Sequence, residues 1–194
     1  KLRREHLDLQ SPLSAEAGEY LEKVARAVSD RSLDMLTDEE LYYAMLEADS
    51  KGNYLEAERY ARESLRRHPS TADSLANLAW ILEHTGRVEE AEAHYKRALE
   101  AGPDREDIAR YYAYLLDSQG RSEEAQAVLE EVLQKRPDNP SAVSQYANFL
   151  IRRGRPDEAE RLLSEALENH PANRILHISY ARLLRDTGRP EEAM

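Results

Sequence analysis

Apolar residues recur along the chain at steps of three and four, the period of a helix that buries one face. One such stripe consists of Leu75, Leu78, Ala79 and Leu82. A second stripe follows it and consists of Ala91, Tyr95, Ala98 and Leu99. Gly86 lies between them, where a helix end favours glycine, and Pro103 follows the second stripe, where proline stops a helix. The pattern therefore predicts two helices joined by a short turn.

This helix pair repeats along the chain at an interval of 34 residues. Glycine recurs at Gly52, Gly86, Gly120, Gly154 and Gly188. Alanine recurs at Ala57, Ala91, Ala125, Ala159 and Ala193, and proline at Pro69, Pro103, Pro137 and Pro171. Three residue types that share one interval are a strong signal of a repeat architecture. A single helix pair does not bury its apolar face alone, so neighbouring pairs are expected to stack.

Glycine, alanine and proline at these offsets in a 34-residue helix pair resemble the tetratricopeptide repeat. The resemblance implies an all-α fold: a right-handed superhelical solenoid of antiparallel helix pairs, with the first helices lining a concave groove. It places the units at 38–71, 72–105, 106–139, 140–173 and a truncated 174–194. One departure is the aromatic residue often found early in the first helix. Its place is taken by Leu41, Leu75, Ala109, Val143 and His177.

Residues 1–37 do not follow the repeat, and we expect them to form an N-terminal helical cap on the first unit. Ser11 suits a helix N-cap and Pro12 suits the first turn. One apolar face follows, formed by Leu13, Ala17, Tyr20, Leu21, Val24 and Val28. A dimerisation helix is the alternative. Thr37 and Glu40 then predict a capping box at the start of the first unit.

The resemblance implies that the fifth and ninth residues of each unit face the groove, flanked by several neighbours. The candidate peptide-binding residues are Tyr42, Tyr43, Asn77, Trp80, Arg110, Tyr111, Tyr114, Gln145, Asn148, Arg152, Arg182 and Arg185. The groove is aromatic with acidic edges at its N-terminal end, and polar and then basic at its C-terminal end. Three further tyrosines at the seventh position are assigned to the core: Tyr112, Tyr146 and Tyr180.

Each part of this groove has an expected role in holding a peptide. Trp80 and Tyr114 are expected to anchor apolar groups, because these side chains combine a rigid ring with a polar tip. The amides expected to bond a peptide backbone are Asn77, Gln145 and Asn148. The side chains expected to attract an acidic stretch or a C-terminal carboxylate are Arg152, Arg182 and Arg185. Family members that hold chaperone tails use a basic residue and asparagines. Arg110 suits the basic role but Tyr114 replaces an asparagine, so chaperone-tail binding is not predicted.

Composition narrows the classes of partner and site. The formal net charge is −11, which disfavours nucleic acid, and cysteine is absent, which excludes disulfides and thiol chemistry. No apolar run approaches the ~20 residues that span a bilayer, and the first ten residues lack the apolar core of a signal peptide. We expect a cytoplasmic location, with the periplasm left open. The chain starts without Met and stops within a repeat, which is typical of a fragment or a processed form.

The sequence favours a non-catalytic protein–protein interaction module that binds a peptide segment in its groove. The histidines and carboxylates show no catalytic or metal-ligand spacing, and the single glycines form no phosphate loop, so no enzyme activity, metal or cofactor is predicted. One alternative is a self-assembling scaffold, since a truncated last unit leaves apolar surface uncovered and a homo-oligomer would cover it. Another is a substrate-recruiting domain of an enzyme that continues beyond Met194.

Overall fold

A computed structural model of the chain describes residues 32–193. In this range the chain forms nine α-helices, with a 3₁₀ turn before the first and another after the last, and no strand. The helices are α1 Asp38–Ser50, α2 Tyr54–Arg67, α3 Ala72–His84, α4 Val88–Ala101, α5 Glu106–Ser118, α6 Ser122–Lys135, α7 Pro140–Arg152, α8 Pro156–Asn169 and α9 Arg174–Asp186. The all-α repeat fold is confirmed. The predicted cap helix falls in residues 1–31, outside the described residues.

The helix ends follow from local chemistry that the sequence carries. Thr37 caps α1 in the predicted capping box: Glu40 N–H donates to Thr37 Oγ1 at 3.1 Å, and Thr37 N–H donates to Glu40 Oε2 at 2.8 Å. Asn139 caps α7 by accepting from the Ser141 N–H at 2.8 Å. Between α3 and α4, Gly86 has φ of +76°, a left-handed conformation that strains any residue with a Cβ. Local chemistry therefore accounts for the starts of α1 and α7 and for the turn between α3 and α4.

The repeated alanines let the two helices of each pair approach closely. Ala57, Ala91, Ala125 and Ala159 are all fully buried. Two apolar clusters result along the stack. The first runs from α1 to α6 and includes Phe149 of α7. The second joins α7, α8 and α9 through residues such as Leu163 and Leu183.

A row of arginines, one at the start of each second helix from α4 onward, contacts the second helix of the preceding unit. Arg121 donates to Glu92 Oε2 of α4 at 2.6 Å and to Glu124 Oε1 of its own helix at 2.7 Å. Arg87 and Arg189 make equivalent ion pairs with the preceding unit. The row has one uncharged partner, because Arg155 donates to Gln126 Oε1 at 2.6 Å. Within residues 32–193, this row of arginines therefore forms ion pairs across three of the four unit boundaries.

Candidate functional site

The first helices α1, α3, α5, α7 and α9 lie side by side, and the side chains they share form what we call the inner face. Packing between α3 and α5, α5 and α7, and α7 and α9 is direct. Side-chain contacts cross each of these boundaries, as described below. Most of the predicted groove residues therefore belong to one continuous surface.

The N-terminal part of this surface, here the aromatic section, comprises Tyr42, Tyr43, Trp80 and Tyr111. Trp80 Nε1–H donates to Asp49 Oδ2 of α1 at 3.2 Å. The indole ring lies 4.1 Å from the ring of His84 and 5.1 Å, edge-on, from the ring of Tyr111. Trp80 is half-buried and Tyr111 is only 8% exposed. The indole is therefore already packed by its own chain on several sides.

Carboxylates in this section are less easily ionised than usual. Burial raises the pKa of Asp49, although the hydrogen bond from Trp80 partly offsets it. Burial also raises the pKa of Glu83, which accepts the hydroxyl of Tyr95 at 3.1 Å. The pKa of Tyr42 is raised by burial first and then by the negative charge of Asp73. The aromatic section is thus a partly desolvated surface with acidic edges.

Alternating guanidinium groups and rings continue the inner face across α5 to α7. The Arg110 Cζ lies 4.1 Å from the centre of the Tyr111 ring and 5.8 Å from that of Tyr114. On the other side the Arg152 Cζ lies 4.0 Å from the Tyr114 ring centre. Stacking of this kind is favourable because the ring face is negative. At Arg152 the stacking leaves the edges of the guanidinium, where its N–H donors lie, for other partners.

The C-terminal part of the inner face, here the basic section, comprises Asn148, Arg152, Arg182 and Arg185. Asn148 Nδ2 donates to Ser179 Oγ of α9 at 3.2 Å, and its Oδ1 accepts from Arg182 Nη1 at 3.4 Å. Ser179 Oγ lies 2.6 Å from Ser144 Oγ, and both hydroxyls are buried. A polar network therefore links α7 and α9 beneath an exposed arginine.

The basic section carries positive charge that the rest of the described chain does not neutralise. Among residues 32–193, no carboxylate lies within ion-pair distance of Arg152 or Arg182, and both side chains are exposed. Arg185, in contrast, pairs with Asp186 at 3.0 Å. The first two side chains are therefore available to an anion from outside.

The structure brings most of the twelve predicted residues into contact and refines the expected role of several. Asn77 and Gln145 are half-buried and make no hydrogen bond to other described side chains, so their amides are available to a ligand. Asn148 was expected to bond a peptide backbone, but its amide is already engaged by Ser179 and Arg182. Tyr112 packs in the core as predicted, and its hydroxyl donates to Glu92.

Two contacts of this face were not predicted from the sequence. The His84 ring packs at a tilt against the Trp80 ring, and its Nδ1 lies 2.9 Å from the Trp80 carbonyl oxygen. The spacing of four residues on one helix was the available signal. Ser179 supports Asn148 from the neighbouring helix, and no spacing rule on one helix indicates such a contact. Within residues 32–193, no group of three or more His, Asp or Glu side chains is placed to hold a metal ion.

The repeat seen in the helices is also found by comparison with known families. Two family models, both described as tetratricopeptide repeat, match the chain. One matches residues 45–106, and the other matches residues 116–177 and residues 150–194. The chain belongs to the tetratricopeptide repeat (TPR) family. Comparison with curated proteins gives no match. TPR repeats indicate a protein–protein interaction or scaffold module, which is the functional class of this chain. TPR proteins are in general non-catalytic repeat modules.

Solved TPR proteins share the fold of this chain at low sequence identity. TTC0263 from Thermus thermophilus is 22% identical, with a TM-score of 0.66 over 87% of this chain and 91% of its own. A TPR protein from Parabacteroides merdae is 20% identical, with a TM-score of 0.61 over 92% and 77%. YrrB, described as a TPR protein with an unusual peptide-binding site, is 17% identical, with a TM-score of 0.51 over 90% and 88%. These likenesses concern the fold. In the part of this TPR chain that the structure describes, no helix has the length and apolar character needed to cross a membrane.

Proposed function

We propose that this TPR array binds a segment of a partner protein along its inner face and recognises an acidic group of that segment in the basic section. The observation that carries the proposal is the pair of exposed guanidinium groups, Arg152 and Arg182, without a carboxylate partner in the described chain. A carboxylate from a side chain or from a C-terminus would complete both with charge-assisted hydrogen bonds.

The aromatic section and its neighbours would hold the remainder of the segment. Trp80 and Tyr114 are half-buried, so each offers part of a rigid ring to an apolar side chain. Asn77 and Gln145 would bond the segment's backbone through amides that have no other partner among the described side chains. The solved relative YrrB, with its peptide-binding site, supports a peptide ligand on this fold, and the residues named here are this chain's own.

The charge of the chain favours a peptide segment over a nucleic acid as the ligand. The net charge is −11 over the whole chain, which repels a phosphate backbone. The basic section is a local exception, and it is small. A short acidic stretch of a peptide suits it, because such a stretch needs only a few nearby arginines and not an extended positive surface.

A random-peptide display selection tests the proposal directly. The full chain is expected to enrich peptides that contain aspartate, glutamate or a free C-terminal carboxylate. The double variant Arg152→Glu, Arg182→Glu is expected to lose those peptides, with affinity for an enriched peptide falling at least about tenfold, or ~1.4 kcal/mol.

A matched control separates local recognition from net charge. The double variant Arg59→Glu, Arg161→Glu makes the same change in charge at exposed positions of the second helices α2 and α8. It is expected to retain the enriched peptides. Equal losses in both double variants, or enrichment without acidic residues, would contradict acid recognition at the basic section.

A further inference from the structure

We infer that Ser144, Ser179 and Asn148 act as positioning residues that fix the guanidinium of Arg182 for the anion; this inference rests on the proposed function. The three side chains form a chain of contacts that crosses from α7 to α9 and ends at Arg182. Neither serine is on the exposed surface, so neither touches a ligand itself.

The directions of the hydrogen bonds made by the Asn148 amide follow from what its partners are able to donate. A guanidinium only donates, so the oxygen of the Asn148 amide must face Arg182 Nη1, at 3.4 Å. The amide nitrogen then faces the other way, toward Ser179 Oγ at 3.2 Å and Ser144 Oγ at 3.4 Å. The two serine hydroxyl oxygens lie 2.6 Å apart, and either hydroxyl is able to donate to the other.

Burial makes this arrangement specific. Ser144 is 4% exposed and Ser179 is 2% exposed, and a buried hydroxyl without a partner is costly. Turning the Asn148 amide over would aim its NH₂ group at the guanidinium, which has no acceptor for it. The serine pair therefore anchors the Asn148 side chain between α7 and α9, and the anchored amide presents its oxygen to Arg182.

The functional value of this network lies in the flexibility of arginine. A long exposed side chain loses rotamer freedom when it binds a ligand, and a side chain held beforehand loses less. Arg152 is held by stacking on Tyr114, 4.0 Å from the ring centre. Arg182 has no such ring in the described chain, and the hydrogen bond to Asn148 takes that role. The two anion-binding arginines are thus oriented by two different devices.

Arginine side-chain NMR tests the positioning without any ligand. In the wild-type full chain, the Nε–Hε group of Arg182 is expected to show restricted motion. In Ser179→Ala and in Asn148→Ala its order parameter should fall, while that of Arg152 should stay unchanged. A similar Arg182 signal in all three proteins would overturn the inference whatever the binding data show.

Binding of an acetylated hexaglutamate peptide supplies the second readout. In Asn148→Asp a carboxylate would stand beside Arg182 and neutralise it, so affinity should fall at least about tenfold relative to wild type. In Asn148→Ala, which only removes the acceptor of Arg182, affinity should fall about threefold. Gln134→Asp places the same charge at an exposed side chain of α6, outside the inner face, and affinity should fall less than in Asn148→Asp.

The outcomes separate this inference from the proposed function. Equal losses of affinity in Gln134→Asp and Asn148→Asp would reduce the effect to net charge and reject the positioning role. If Arg182→Glu weakens binding but Ser179→Ala leaves both affinity and Arg182 motion unchanged, acid recognition stands and the network is only structural. If Arg182→Glu has no effect on hexaglutamate binding, the proposed function itself fails.

Discussion

The aromatic section and the basic section occupy equivalent positions of one repeated surface, but their side chains differ in how far their own chain supplies partners for them. Trp80 contacts Asp49, His84 and Tyr111 within its own chain and is half-buried. Arg152 and Arg182 are exposed and lack a carboxylate partner among the described residues. The same helical positions thus serve packing at one end of the array and present charge at the other.

This difference separates stability from recognition along one molecule. A substitution in the aromatic section removes packing contacts as well as any ligand contact. A substitution of an exposed arginine removes mainly a ligand contact, since surface changes usually alter stability by no more than about 0.5 kcal/mol. Mutations in the aromatic section are therefore expected to change both stability and binding, and mutations of the exposed arginines mainly binding.

The largest effect is expected from the core residues beneath each section. Leu82→Ala under the aromatic section and Leu183→Ala under the basic section each remove a fully buried side chain. Each should cost about 2–5 kcal/mol in the free energy of unfolding, measured by urea denaturation.

Hydrogen exchange then distinguishes the two halves of the core. Because Leu183 belongs to the cluster of α7, α8 and α9, its loss should speed amide exchange in those helices more than in α1–α5. Uniform acceleration along the whole chain would mean that the two clusters unfold as one, against the division seen in the packing.

Trp80→Ala is expected to have the next largest effect, and to act on both stability and binding. Loss of the half-buried indole should cost about 2 kcal/mol of stability. It should also weaken a selected peptide by ~1–3 kcal/mol. Arg182→Ala is the matched comparison. It should weaken binding of the same peptide and change the urea midpoint of unfolding little. A stable Trp80→Ala protein together with an unstable Arg182→Ala protein would reverse the comparison.

The smallest effect is expected in the pH dependence of the arginine row on the second helices. The hydrogen bond from Arg121, with that from Lys96, lowers the pKa of Glu92 from 4.5 to about 2. A lowered pKa means that the ion pairs stabilise the fold fully above about pH 4.5 and that this contribution is lost as pH falls toward about 2.

Glu92→Gln isolates this contribution. The variant should be less stable than wild type at neutral pH, and the difference should shrink as pH falls through that window, followed by urea denaturation. The equivalent position near the basic section is already Gln126, so Gln126→Ala should change stability by a similar amount at every pH. A constant difference between Glu92→Gln and wild type would refute the ion-pair explanation.

The sequence carries the fold far better than it carries the site. Glycine, alanine and proline recur because each answers a backbone or packing requirement that every unit shares, as at Gly86 and Ala91. Helix positions therefore follow from residue types alone. Thr37 and Glu40 show the same at finer scale, since a capping box needs only local spacing.

The contacts of the inner face depend instead on pairs of residues from different units. The Asn148 amide is anchored by Ser179, 31 positions away, and the Trp80 indole donates to Asp49, also 31 positions away. Such pairs depend on how neighbouring helices are spaced and rotated, and residue patterns do not give those quantities. Gln126 is a further case. The equivalent residues of the other units are glutamates that pair with the arginine row, whereas the amide of Gln126 also donates to Glu130 and to the Tyr146 hydroxyl.

A double-mutant cycle between the array and a bound acidic peptide tests the central claim most directly. The peptide would be one enriched by the full chain, with its acidic residue changed to the neutral amide, and the protein change would be Arg182→Ala. Calorimetric affinities of the four combinations give the coupling between the two charges. Direct recognition predicts a coupling of at least about 1 kcal/mol. Additive losses, with no coupling at Arg182 or at Arg152, would contradict anion recognition by the basic section.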